Sequence, residues 1–354
     1  MKILEAILVA PNKISFVDRN IRKLKKNEVL VQVIVCGICS TEIPTYKGLT
    51  VGKPGASFRN AKFPCFLGHE VVGKVISTGS AVTSLKRNDK VTGIAYSRSG
   101  FASHVIESEG SWVKIPENVP IEYSLGEPLA AVTNITRLAD PDFGDTALII
   151  GDGFMSLLLI SILSKYPLKS LILIGHHDDR LKLAKKIGAT NIINSKRENP
   201  YWTVRNIVDS ENKKLQLTPW SSGVDLSFDF TGKMEGLKLG ASLCKPKQKA
   251  KLIMAGVYDN EEFTIGQYLV NRGPILIPAY PSQSNNIMQD VKRAMWALEQ
   301  GMFPMGQLIT HIFSLEKLNT AMEFSISKRD GYIKGLVAPN LRMLDFNKKY
   351  KIID

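Results

Sequence analysis

Hydrophobic and polar positions follow two rhythms along this chain. Over roughly the first 125 residues, short β-branched runs alternate with turns. Residues 28–36 (EVLVQVIVC), 70–76 and 89–94 read as strands ended by glycine or serine, and residues 48–61, with Gly48, Gly52, Pro54 and Gly55, read as a connecting loop. From about residue 140 a helical period joins in. Residues 146–150 predict a buried strand, 154–165 an apolar helix, 170–174 the next strand, and 180–187 (RLKLAKKI) a helix stopped by Gly188. Further strands are expected at 191–194, 224–230, 251–255 and 275–280. After Pro281 come a helix at 288–300, a strand at 309–313, a helix started by Ser314 and running to Phe324, and a strand near 332–337.

Strands alternating with helices form a parallel, doubly wound sheet. The fold class is therefore α/β, with a β-rich domain over 1–139, an inserted α/β domain over 140–281, and a return to the first domain over 282–354. A length of 354 residues is ample for two cores, and 44% hydrophobic with 22% charged residues is ordinary globular composition. Four cysteines are too few for a disulfide framework. The start, Met1-Lys2-Ile3-Leu4-Glu5, puts a carboxylate where a secretory leader needs apolar residues. The longest apolar run, 147–163, contains Asp152 and falls short of the roughly 20 residues that cross a bilayer. A cytoplasmic protein with no membrane partner is expected.

The formal charge of +13, from 46 Lys+Arg against 33 Asp+Glu, raises the question of nucleic acid. Its distribution answers against it. The lysines fall in short clusters (Lys23, Lys25, Lys26; Lys182, Lys185, Lys186; Lys245, Lys247, Lys249, Lys251; Lys348, Lys349, Lys351), and no run of like charge forms an arm. A non-catalytic, basic nucleic-acid-binding protein is the reading this disfavours. Solvated surface lysine, with some attraction for an anionic cofactor, is the expectation.

Two groups of residues carry candidate chemistry. Gly151-Asp152-Gly153-Phe154-Met155-Ser156 is a G-x-G-x-x-S turn between strand and helix. Gly151 permits the tight turn, Gly153 lets the backbone approach a pyrophosphate, and the helix opening at Phe154 and Met155 offers N–H groups and a positive dipole end. Ser156 stands where a third small residue is needed. The next strand should end in a carboxylate for the adenosine ribose, but the sequence reads Ile174-Gly175-His176-His177-Asp178-Asp179-Arg180. Gly175 with His176, His177 and Arg180 suits a 2′-phosphate and tilts the choice from NAD to NADP, while Asp178 or Asp179 reaches the ribose if the strand runs longer. In the first domain, Cys39, His69 and Glu127 supply one thiolate, one imidazole and one carboxylate, a catalytic zinc set with a fourth position open. Cys36 forms a C-x-x-C pair with Cys39 but continues a strand into the core, and Cys65 and Cys244 lack zinc-knuckle spacing.

In order, the strings Gly37-Ile38-Cys39-Ser40-Thr41-Glu42, Gly68-His69-Glu70-Val71-Val72-Gly73, Glu127-Pro128-Leu129, the glycine turn, Asp229-Phe230-Thr231-Gly232 and Ile309-Thr310-His311-Ile312-Phe313-Ser314-Leu315 resemble the zinc-dependent medium-chain dehydrogenases/reductases, which include alcohol, sorbitol and threonine dehydrogenases. The resemblance implies a GroES-like catalytic domain and a Rossmann domain. It implies Cys39, His69 and Glu127 as zinc ligands, Glu70 as an adjacent carboxylate that can approach the metal, Thr41 as the hydroxyl that takes the substrate proton, and Thr231 among the cofactor-binding residues. Three departures stand out. Residues 95–100 (AYSRSG) hold no cysteine where the family's structural-zinc lobe would fall, so one catalytic zinc and no structural zinc is expected. Pro44 replaces a relay histidine, leaving water, His104 or Tyr46 to end the relay. Glu42 stands where aspartate is commoner.

The expected activity is hydride transfer between a polar, secondary alcohol or polyol and NAD(P), on small-molecule alcohol or carbonyl substrates. A zinc-free reductase of quinones or activated double bonds is the alternative within the same superfamily. The strand at 275–280 is expected at a sheet edge that pairs across a two-fold axis, giving a homodimer or homotetramer.

Overall fold

The computed structural model describes residues 1–49, 62–213, 222–246, 250–258, 266–344 and 350–354. Most of the expected loop at 48–61 lies outside them, as do Lys247, Lys249, Lys348 and Lys349. The chain divides into two units, one comprising residues 1–130, 288–301 and 305–354, the other 131–287 and 302–304.

In the first unit the strand Glu28–Gly37 is the organising element. It is buried along nearly its whole length, which is why its sequence is an almost unbroken Val/Ile/Leu run rather than an alternation. Glu70–Thr78 and His104–Ser108 pair with it antiparallel, and Lys334–Ala338 joins at its carboxyl end through Leu336 opposite Gly37 and Val337 opposite Cys36. Lys90–Ile94, Trp112–Lys114, Ile309–Ser314 and Lys351–Ile353 complete an eight-stranded mixed sheet, so strands near the end of the chain share one sheet with strands between residues 28 and 114. The hairpin Lys2–Ala10 with Lys13–Asn20 forms a separate two-stranded sheet. Cys36 is wholly buried, and desolvation pushes its thiol far up, as befits a packing residue.

The second unit is a six-stranded parallel sheet. Its strands are β1 (Thr146–Ile150), β2 (Ser170–Gly175), β3 (Asn191–Asn194), β4 (Leu226–Asp229), β5 (Lys251–Met254) and β6 (Ile275–Pro278). They lie in the order β3-β2-β1-β4-β5-β6, with the direction of winding reversing beside β1. Crevices at the carboxyl ends of strands beside such a reversal are where ligands bind in open α/β sheets. The helix Phe154–Leu163 buries eight of its ten residues, consistent with its apolar composition all round. The helix Asp178–Ile187 begins two residues earlier than the hydrophobic pattern indicates, because Asp178 and Asp179 complement the positive end of the helix dipole. Gly188, with φ +128°, ends it. No helix among the described residues is long and apolar enough to cross a membrane.

One buried base bears on stability. His311, on Ile309–Ser314, is fully buried, its ring 5.3 Å from the rings of Phe324 and Tyr332 and stacked 6.0 Å from Phe313. Nδ1 lies 2.9 Å from Thr310 Oγ1, and Nε2 has no partner among the described residues. Burial, helped by Lys351, pushes the imidazole down to about 4. The unfolded chain takes up this proton near 6.5 and the folded chain only near 4. The contribution is therefore complete above pH 6.5 and is lost as pH falls towards 4, a loss on the order of 2 kcal/mol. Urea melts between pH 7 and 4 should show this decline, and His311→Phe should flatten it; an identical slope in the variant would assign the decline to other groups.

Candidate active site

The strand Glu28–Gly37 ends in a glycine for a packing reason. A Cβ on Gly37 would lie 2.0 Å from Glu70 Oε2, so only glycine lets that carboxylate in. Beyond it, Cys39 precedes a single 3₁₀ turn, Ser40–Glu42, which runs into the short helix Ile43–Tyr46 with Pro44 in its first turn. The turn does two things. It brings Thr41 Oγ1 to 3.1 Å from Cys39 Sγ, to which it donates, and it swings Glu42 inward, where the side chain is 1% exposed.

Glu42 Oε1 accepts the Gly68 N–H at 2.6 Å and meets His69 Nδ1 at 3.0 Å. Gly68 has φ +98°, and a Cβ there would lie 2.6 Å from the Phe101 nitrogen, so the bend presenting His69 is closed to other residues. The His69 ring also hydrogen-bonds Cys39. Burial disfavours its cation, but Glu42 and Cys39 outweigh burial and hold it well above the usual histidine range. Burial likewise opposes ionisation of Glu42, which the His69 partnership and the Gly68 N–H overcome, leaving its carboxyl below the ordinary value.

Glu70 begins the strand Glu70–Thr78 and is 1% exposed. Its oxygens lie 2.8 and 2.6 Å from Lys334 Nζ, which also donates to the Ile38 carbonyl at 2.8 Å. Burial works against the Lys334 charge, but Glu70 raises its pKa above the ordinary value. Lys334 was not expected from the sequence, although a lysine opening a strand that is otherwise apolar and buried (KGLVA) is a readable sign.

Ligand atoms of Cys39, His69 and Glu70 all lie within 4.8 Å of one another. Glu127, in the first turn of the helix Gly126–Ala139, falls outside that group but shares its field: burial pushes its carboxyl up, His69 and Lys334 pull it down, and Glu70 and Glu42 push it up again. Thr92 Oγ1 anchors the start of that helix by accepting the Gly126 N–H at 2.8 Å. Thus Cys39, Thr41, His69 and Glu70 converge, with Glu127 in electrostatic contact. The two side chains considered for the end of a proton relay are engaged elsewhere: Tyr46 Oη contacts Asn319 Oδ1 at 3.3 Å, and His104 Nδ1 contacts Ser103 Oγ at 3.1 Å.

The glycine turn of the second unit has the geometry its sequence implies. Gly151 adopts φ +103° and donates to the Ile174 carbonyl. Gly153 is extended, at φ −80°, so its backbone does not require glycine; a Cβ there would meet nothing within 4 Å, which leaves open space at the amino end of the helix Phe154–Leu163. Thr231, beyond β4, donates to Asp229 Oδ1 at 2.7 Å and packs beside Gly151.

Gly175, at the end of β2, is explained by Asp152: a Cβ on Gly175 would lie 2.6 Å from Asp152 Cβ and Oδ2. The carboxylate beside the strand end thus comes from within the turn itself, a placement that the local sequence does not display. His176 is exposed, with its ring 4.0 Å from that of His177, and Arg180 is buried. Asp178 accepts from Asn194 at 2.7 Å and pairs with Arg197, an engagement that ties its helix to β3.

The first unit has the GroES-like fold and the second is Rossmann-like. Residues 25–117 match the family model described as Alcohol dehydrogenase GroES-like domain. An L-threonine 3-dehydrogenase of Caldanaerobacter subterraneus subsp. tengcongensis is 28% identical, covering 90% of this chain and 93% of the relative. A D-arabitol-phosphate dehydrogenase of Enterococcus avium is 25% identical over 88% of this chain and 90% of its own length. The solved structure of a putative zinc-binding dehydrogenase from Sinorhizobium meliloti 1021, bound to NADP, superimposes with a TM-score of 0.79 at 22% identity, covering 96% of this chain and all of that one. Residues 25–117 thus carry the alcohol dehydrogenase GroES-like domain, nearly the whole chain is similar to medium-chain dehydrogenases, and the protein is an oxidoreductase.

Glu42 supports two partners at once, so Glu42→Ala should cost about 3 kcal/mol in urea unfolding by stranding a buried N–H and an imidazole. Glu42→Gln, which keeps an acceptor for Gly68, should cost less. Equal losses in the two variants would contradict this division of roles.

Proposed function

We propose that this chain is a zinc-dependent alcohol or polyol dehydrogenase that exchanges a hydride between a polar secondary alcohol and a nicotinamide dinucleotide, with NADP preferred over NAD. The observation that carries the reading is the convergence of Cys39, His69 and a buried carboxylate, with the Thr41 hydroxyl against the cysteine sulfur. The donor set fits a borderline-soft dication: one thiolate, one imidazole and a choice of carboxylates. Buried Glu42 Oε2, which has no hydrogen-bond partner among the described residues, adds to the negative field that such an ion would offset.

Cys39 and His69 would hold zinc with Glu127 as third ligand, and Glu70, clamped by Lys334, would be the carboxylate able to exchange onto the metal. A single catalytic zinc is proposed, because residues 95–100 offer no thiolates for a structural one. Zinc in this position supplies Lewis acidity that makes an alcohol easier to deprotonate or a carbonyl easier to reduce. Thr41 Oγ1 takes the proton of the substrate hydroxyl and passes it towards water, since Pro44 has no donor and His104 and Tyr46 are engaged. Glu42 keeps His69 in one orientation, holding its other nitrogen for the ligand role. Gly151 and Gly153 admit the pyrophosphate to the helix amino terminus beside Phe154 and Met155, with Thr231 flanking the turn. Gly175, His176, His177 and Arg180 form the adenosine corner. Hydride chemistry belongs to the cofactor; the protein orients it and excludes water.

Support for a polar substrate comes from the relatives, whose names give threonine and D-arabitol phosphate as substrates. Support for NADP comes from the imidazole-rich corner and from the neighbour bound to NADP. A homodimer formed by pairing of the β6 edges is proposed because β6 ends the sheet with Ile275 and Leu276 each 45% exposed and Val270 nearby 74% exposed.

Cys39→Ala should abolish both zinc retention, read by metal analysis of purified protein, and turnover, read by nicotinamide absorbance with a panel of secondary alcohols and polyols, by at least about a thousandfold. Full zinc and activity in the variant would place the chemistry elsewhere. Wild-type protein without zinc that reduces quinones would support the zinc-free alternative. Leu276→Lys should shift the mass measured by light scattering from dimer or tetramer towards monomer, and an unaltered mass would remove β6 from the interface.

A further inference from the structure

Asp152 stands between the two glycines of the phosphate turn, yet it is 4% exposed and turned towards the end of β2. Its Oδ2 accepts the backbone N–H groups of His176 and His177, each at 2.8 Å. Both of its oxygens lie 3.1 Å from His177 Nδ1, and Arg180 Nη1 is 3.8 Å from Oδ1. We infer that Asp152 is the positioning residue that sets discrimination between 2′-phosphorylated and unphosphorylated dinucleotides. It fixes the corner carrying His176, His177 and Arg180 and denies β2 the terminal carboxylate that an unphosphorylated ribose would need. The inference rests on the dinucleotide reading above and names the residue behind its cofactor preference.

Three observations lead there. First, volume: because a Cβ at position 175 would lie 2.6 Å from Asp152, no acidic side chain fits at the strand end while Asp152 is in place. Second, capacity: an ionised carboxylate has about four acceptor sites, and two backbone N–H groups with an imidazole use most of them. Asp152 is thus poorly suited to accept from ribose hydroxyls, and these donors with Arg180 offset its charge where a bare carboxylate would repel phosphate. Third, what remains at the corner: the exposed His176 ring lies beside His177, with Arg180 buried behind them against Asp152, while the carboxylate of Asp178 is held by Asn194 and Arg197 and Asp179 is the one exposed acid of the helix's first turn. The two imidazoles outnumber the single exposed carboxylate, the balance that favours a phosphate.

The test is equilibrium binding of NADP⁺ and of NAD⁺, identical except for the 2′-phosphate, to the full-length protein by isothermal titration calorimetry without substrate. Wild-type protein should prefer NADP⁺ by about tenfold or more. Asp152→Ala should lower NADP⁺ affinity about tenfold while changing NAD⁺ affinity less than about threefold. Asp152→Ala combined with Gly175→Asp, where the strand end now has room, should reverse the preference. An unchanged ratio in Asp152→Ala, or a gain in NADP⁺ affinity, would overturn the assignment. A wild type preferring NAD⁺ would overturn it while leaving the dinucleotide reading intact, and a wild type binding neither would overturn both. If Asp152→Ala does not fold, Asp152→Asn, which keeps one acceptor oxygen, must shift the ratio in the same direction by a smaller factor, and an unshifted ratio there counts against the assignment.

Discussion

The candidate site depends on one buried ion pair. Lys334 comes from a strand near the end of the chain, Glu70 from a strand near its beginning, and Lys334 also takes up the carbonyl of Ile38, next to Cys39. Two charges removed from water at this depth are tolerable only together, and loss of either would strand the other at a cost of about 3–5 kcal/mol. The pair therefore couples three segments far apart in sequence: the turn bearing the cysteine, the strand following the histidine, and the carboxyl-terminal return. Gly37 is part of the same constraint, since its missing side chain makes room for the Glu70 carboxylate.

With Glu70 satisfied by Lys334 and Glu42 facing His69, the half-buried Cys39 thiol and Glu127 complete the acidic groups of the cluster. Burial raises the Glu127 carboxyl, and the neighbouring carboxylates raise it further against the pull of His69 and Lys334. His69, Lys334 and Arg98 offset part of this repulsion, and a bound cation would offset more of it. This makes a metal-dependent reading more economical than a purely structural one for Cys39 and His69. Other fully buried polar groups in the unit, such as His311, show what a structural role looks like: a ring in an aromatic stack whose burial disfavours its cation.

Much of the architecture was readable because it rests on local regularities. The change from strand runs to strand-helix alternation located the doubly wound sheet, and the spacing of Gly151 and Gly153 located the turn that joins its first strand to a helix. Cys39 and His69 were readable as donor types in glycine-bounded strings. The long-range partners were not. Nothing local in Lys334 says that it meets Glu70 across 264 positions, and nothing in the string Gly-Asp-Gly says that its aspartate reaches 24 residues ahead to the end of β2. Gly175 looked like a missing carboxylate because a sequence displays side chains but not the space they fill. The early start of the helix at Asp178 was obscured for another reason: hydrophobic periodicity begins with the first buried residue, whereas a helix begins with its capping charges.

The two units use one local device for different ends. In the first, a carboxylate from a turn, Glu42, accepts a backbone N–H and meets the Nδ1 of His69; in the second, Asp152 accepts two backbone N–H groups and meets the Nδ1 of His177. Each fixes both a bend in the chain and an imbedded imidazole with a single side chain, and each stands beside a glycine that no larger residue could replace. The difference lies in exposure. His69 is buried against Cys39, so the fixed ring has its remaining nitrogen directed within the protein, the requirement for a ligand. His177 keeps 31% of its side chain exposed, so the fixed ring remains available to solvent and to what arrives from it, the requirement for recognition. In the proposed reading, the same pairing of carboxylate and histidine would serve chemistry where it is sealed and selection where it is open.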